Sequence, residues 1–110
     1  MKVVANHSHV KEDLAIDLPV SGYRHGGIQC VWSPLGDADG RVTIQSDVDG
    51  DGVWQEILST SLDGGQNLNF RFANPLPPLT RVKLDLRSGA LERFSVFITG
   101  KEKKHGSKND

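Results

Sequence analysis

The sequence predicts an all-β protein, an antiparallel β-sandwich or small barrel of about seven strands, and three observations carry that prediction. Apolar and polar residues alternate with period two through nearly the whole middle of the chain, placing successive side chains on opposite faces of an extended backbone. Twelve glycines and five prolines stand mostly between these alternating runs, where tight turns need them. No stretch repeats with the 3.6-residue period of a helix. At 110 residues and 12.0 kDa the chain suits a single domain with one core, and a two-lobed enzyme is not expected.

Leu14, Ile16, Leu18 and Val20 alternate with Ala15, Asp17 and Pro19, and the proline, which has no N–H to give a ladder, marks an edge strand. After the Ser21-Gly22 and His25-Gly26-Gly27 turns, Ile28, Cys30 and Trp32 define an apolar strand that suits the middle of a sheet and ends at Pro34. Leu35 to Gly40 reads as a turn leading into Val42–Ser46. The chain turns again through Asp47–Gly52, and Val53–Leu58 follows with imperfect alternation and room for a bulge. Leu68, Phe70 and Phe72 form a half-buried strand. Asn74-Pro75-Leu76-Pro77-Pro78 is a loop, because three missing donors exclude both helix and central strand. Val82–Leu86 and Phe94–Thr99 are the last two strands, joined through Gly89–Glu92 by a short helical turn. Residues 1–12 read as a polar N-terminal arm, 13–100 as the sandwich, and 101–110 as a flexible lysine-rich tail.

Balanced charge, 13 Lys+Arg against 14 Asp+Glu, leaves no broad basic field for nucleic acid or an anionic membrane, so neither is expected as a partner. A single cysteine, Cys30, excludes an internal disulfide and suits synthesis in a reducing compartment, with the side chain as small core material. Neither a secretory leader nor an apolar run of about 18 residues is read in the sequence.

The sharpest local pattern is Asp47, Asp49, Asp51, Gly52, the opening of an EF-hand-type calcium loop. Its twelfth position is Leu58 where a bidentate glutamate belongs, and its flanks read as strands, so a polar hairpin is the first reading and a calcium loop the alternative. Asp37 and Asp39 would join such a site only if the two loops met at one end. His7-Ser8-His9 has the spacing of a two-ligand chelate but brings no third ligand, and a polar arm explains it without metal. His25 before Gly26-Gly27 reads as a turn. No nucleophile elbow, phosphate loop, dinucleotide fingerprint or paired-carboxylate spacing is present, so no catalytic residue and no cofactor are assigned and a non-enzyme is expected. Trp32 and Trp54 are core or interface aromatics, with a sugar-stacking platform as the alternative.

The runs Ile28–Ser33, Gly40–Asp47, Gly50–Trp54 and Phe94–Gly100 together resemble the strand series of small virion proteins of tailed bacteriophages, over about two thirds of the chain. Within that group the layout is most similar to head decoration proteins, also called cement or staple proteins. The resemblance implies a jelly-roll-like sandwich of about seven to eight strands with polar arms at both ends. It also implies a structural virion protein, made in the host cytoplasm, that binds the outer capsid surface and stabilises the head. Its partner would be the major capsid protein, engaged by a homo-oligomer, dimer or trimer, with Lys101, Lys103 and Lys104 of the tail as contact residues. The competing expectation is a carbohydrate- or receptor-binding β-module of a phage tail.

Overall fold

In a computed structural model, described for residues 1–102, the chain forms six strands: β1 (Lys2–Val10), β2 (Leu14–Asp17), β3 (Tyr23–Ser46), β4 (Gln55–Ser61), β5 (Asn67–Phe72) and β6 (Thr80–Glu102). Two single 3-10 turns, Val20–Gly22 and Leu62–Gly64, complete the regular structure. β3 and β6 are antiparallel partners over almost their whole length, and each serves two layers. The first half of β3 and the second half of β6 lie between β5 and β1, while their other halves lie between β4 and β2.

The outcome is two four-stranded layers, β1-β6-β3-β5 and β2-β6-β3-β4. Along the chain the strand segments fall in the first, second, first, second, second, first, second and first layer. That is the jelly-roll connectivity, and it fixes the strand order that alternation alone leaves open. The eight segments agree with the predicted strand number, although hydrogen bonding joins four of them into two long strands.

The fold over occurs where Leu35 pairs with Ala90 but the next pair is Asp39 with Ser88, so β3 carries extra residues at the corner. Gly36 at φ 70° and Gly89 at φ 81° supply the left-handed conformations. A Cβ on Gly89 would run into the Asp37 carbonyl oxygen. The expected helical turn at Gly89–Glu92 is therefore replaced by continuous strand, in which Leu91 is fully buried and pairs with both Pro34 and Val10. Pro34 likewise does not end its strand; it sits at a register slip. β4 starts two residues later than predicted and has its bulge at Ile57, since Ile44 faces Leu58 and Gln45 faces Glu56. β2 is an edge strand as expected, but stops at Asp17, before Pro19.

The predicted N-terminal arm is corrected: residues 2–10 are strand β1, registered on β6 from Lys2–Ile98 to Val10–Leu91. A polar sequence suffices there because β1 is an edge strand whose ladder hydrogen bonds need no apolar side chains. Between the layers lies one core that includes Ile28, Cys30, Trp32, Val42, Ile44, Val82, Leu84, Phe94, Val96 and Ile98. Trp32 stacks on Phe94 with centroids 6.4 Å apart. Its Nε1 donates to the Leu62 carbonyl at 3.2 Å, tying the first layer to the turn that returns from β4.

Candidate functional site

The outer face of the second layer is a closed polar network. Arg41 donates to Ser59 Oγ at 2.7 Å, and Lys83 lies 3.2 Å from Asp85 and 3.9 Å from Asp13. Trp54 sits half-buried at the end of this face with the Arg81 guanidinium 3.8 Å from its ring centroid. Arg81 Nε is itself held by Gln45 Oε1 at 2.6 Å. The Arg81 guanidinium thus occupies one face of the Trp54 indole, and Trp32 is buried in the core.

The Asp47–Gly52 loop directs its first carboxylate inward on its own backbone. Asp47 accepts hydrogen bonds from the N–H groups of Gly50 at 2.9 Å, Asp51 at 3.2 Å and Gly52 at 2.8 Å. Gly50 and Gly52 take the positive φ angles, 73° and 87°, that wrap the chain around it. This is a polar turn organised by an aspartate cap. Asp37 and Asp39 stand at the other end of the second half of β3, roughly 26 Å or more from Asp47 at about 3.3 Å per residue, where Asp39 meets Arg87 at 3.4 Å. His7 and His9 are exposed on β1, and His9 adopts φ 53°. Among the described residues no group of three His, Cys, Asp or Glu side chains converges as a metal site. Cys30 is fully enclosed, and burial pushes its thiol up to about 12, which leaves no thiolate for nucleophilic or redox chemistry near neutral pH. Of the predicted contact lysines, Lys101 is exposed on β6, opposite His25. Lys103 and Lys104 lie outside the described residues.

The outer face of the first layer carries a feature that alternation does not reveal. Gly27 faces Thr99 on one side and Arg71 on the other, so a residue without a side chain sits in the middle of a sheet row. Above it opens a depression of ≈ 260 Å³ walled by Phe97, Gln29, Arg71 and Thr99 and rimmed by Met1. It continues over Gly26 and Gly100 to His25, and from there past Ala73 to Arg24 and Lys101. Among the described residues, those along this groove include four that carry or can carry positive charge, Arg24, His25, Arg71 and Lys101, and none that is acidic. The sequence signal was available in Gly26-Gly27 but reads there only as a turn.

Two layers in jelly-roll order around an uninterrupted core make a compact β-sandwich, and a cationic, glycine-floored groove lies on its surface. No family model and no curated protein matches the chain. Among solved structures it is similar to the Yersinia pseudotuberculosis-derived mitogen. The TM-score is 0.57 at 20% identity, with 94% of this chain and 90% of that chain covered. This likeness shows the fold and overturns the head-decoration reading, together with its phage-tail alternative. The strand and turn series that suggested a virion protein is the grammar of the jelly roll itself, and a solved protein similar to this chain over nearly its whole length is a bacterial mitogen.

Proposed function

We propose that this chain works by contact as a mitogen-like module, engaging a protein on the surface of a responding cell and prompting division without catalytic turnover. The observation that carries the reading is the near end-to-end match to a mitogen of the same single-domain size, 94% of one chain against 90% of the other. A non-enzymatic role is supported by the buried Cys30 thiol and by aspartates engaged with Lys83 and Arg87 on outer faces. The balanced net charge of −1 favours a protein partner over nucleic acid or membrane. The test is to add purified protein to mononuclear blood cells and follow thymidine incorporation. A dose-dependent rise that is lost on heat denaturation is expected; incorporation equal to the denatured control at every dose overturns the proposal.

A further inference from the structure

Among the described residues, the groove over Gly27 combines an open glycine floor with a run of cationic side chains. We infer that it receives an acidic, extended segment of the partner protein, with one apolar side chain seated over Gly27 and flanking carboxylates on Arg71, His25 and Lys101. The inference rests on the contact reading above and gives it a site.

Size is the first argument. The seat over Gly27, ≈ 260 Å³, suits a single anchoring side chain of a macromolecular partner, and the groove that runs on from it past Gly26 to Lys101 has room for the residues flanking that anchor. Its walls include the half-buried ring of Phe97, an apolar seat for that anchor. Charge is the second. On the second layer and at the corner, Lys83 and Arg87 are paired with aspartates, whereas among the described residues Arg71, His25 and Lys101 make no ion pair and line a groove without an acid. In a chain of net charge −1 this concentration of one sign steers and orients an acidic partner.

The glycine itself is the third argument. Gly26 and Gly100 are required by the backbone, because a Cβ on either would run into the Thr99 or His25 carbonyl oxygen of the opposite strand. Gly27 has no such need. A Cβ there would rest 3.5 Å from the Phe70 carbonyl oxygen and 3.7 Å from Thr99 Cγ2, ordinary contact distances. A glycine weakens a strand interior unless something approaches closely, and here its one structural consequence is to leave the seat open. Finally, among the described strands β5 pairs with β3 alone, so its outer edge offers main-chain groups to an extended segment lying beside Arg71.

The same distances supply the decisive variant. The Cβ of Gly27→Val is accepted at ordinary contact distances and its methyls enter the seat, so it removes the anchor pocket, with the thermal melt reading whether the fold persists; Arg71→Glu reverses the charge at the seat. The probe is a fluorescein-labelled peptide of glutamates with one central phenylalanine, titrated by anisotropy. Its controls are the same peptide with alanine at the centre, a lysine counterpart and a heparin oligosaccharide.

The wild type is expected to bind the probe saturably. Affinity should fall by at least about tenfold in each variant and for the alanine peptide, with thermal melts of Gly27→Val at or above wild type. It should also fall in about 1 M NaCl, where screening extends only about 3 Å. No binding by the wild type overturns the inference. Retention of affinity in Gly27→Val, or a preference for heparin that survives loss of the peptide, does so too. Running the proliferation assay on the same variants separates the two readings. Mitogenic protein whose Gly27→Val and Arg71→Glu forms remain fully active refutes the site alone, and probe binding without any proliferation refutes the mitogen role alone.

Discussion

At the scale of single residues, Cys30 and Asp47 show how one side chain acquires opposite meanings from its surroundings. The alternation Ile28, Cys30, Trp32 already places Cys30 inward, and the structure encloses it completely. Folding raises its thiol from 9.0 to about 12. Between those values the unfolded chain has lost a proton that the native state keeps, so the native state is favoured less as pH rises. Denaturant midpoints should hold steady up to about pH 9 and then fall. One proton sets a limit of about 1.4 kcal/mol per pH unit on the slope. Thiol labelling should stay negligible in native buffer at neutral pH and complete only in denaturant, and rapid labelling of native protein would contradict the enclosed position.

Asp47 was not legible in the same way. The spacing of aspartates and glycines is shared by cation loops and by aspartate-capped turns, and only the direction of the carboxylate, toward the Gly50, Asp51 and Gly52 amides, separates them. Asp47→Ala leaves three turn amides without their acceptor at a site 5% exposed, which should cost about 1–3 kcal/mol. The loss, read from urea denaturation, is expected to be the same in calcium and in chelator.

At the scale of elements, the strands of the core were readable because burial on one face forces alternation, as in Leu68–Phe72 or Phe94–Ile98. What escaped were features that backbone pairing controls. β1 exists because β6 offers it a ladder, and its sequence, Lys2–Val10, has too few apolar residues to announce a strand. The corner at Leu35–Gly40 and Gly89 contains the residues of a turn, yet the chain passes through it without losing its partner strand, only shifting register.

This corner makes a clear mutational contrast. Gly89 has φ 81° and a Cβ would meet the Asp37 backbone, so Gly89→Ala should destabilise by about 1–3 kcal/mol and disturb the bend between layers. Gly22 has open space around its Cβ position and no left-handed angle. Gly22→Ala should leave stability unchanged or raise it by about 0.4–1 kcal/mol through the unfolded chain. Thermal melts of the two variants decide the point, and equal effects would remove the special role of the corner.

At the scale of the whole molecule, two layers are not two folding units. Because β3 and β6 each run through both layers, neither layer can lose its central pair without withdrawing strands from the other. The side chains between them form one continuous cluster, from Ile28 and Phe94 in the first layer to Ile44 and Leu84 in the second. The tryptophans sample this arrangement from different positions. Trp32 is in the core on the first layer, and Trp54 is on the outer side of the second beneath Arg81. A single cooperative transition is therefore expected. In Trp54→Phe, fluorescence reports Trp32 alone. Its urea midpoint and slope should coincide with those from far-ultraviolet circular dichroism, and wild-type fluorescence should show no additional phase beyond Trp54 leaving Arg81. Noncoincident midpoints would mean that the layers separate before the central strands unravel, which the shared path of β3 and β6 forbids.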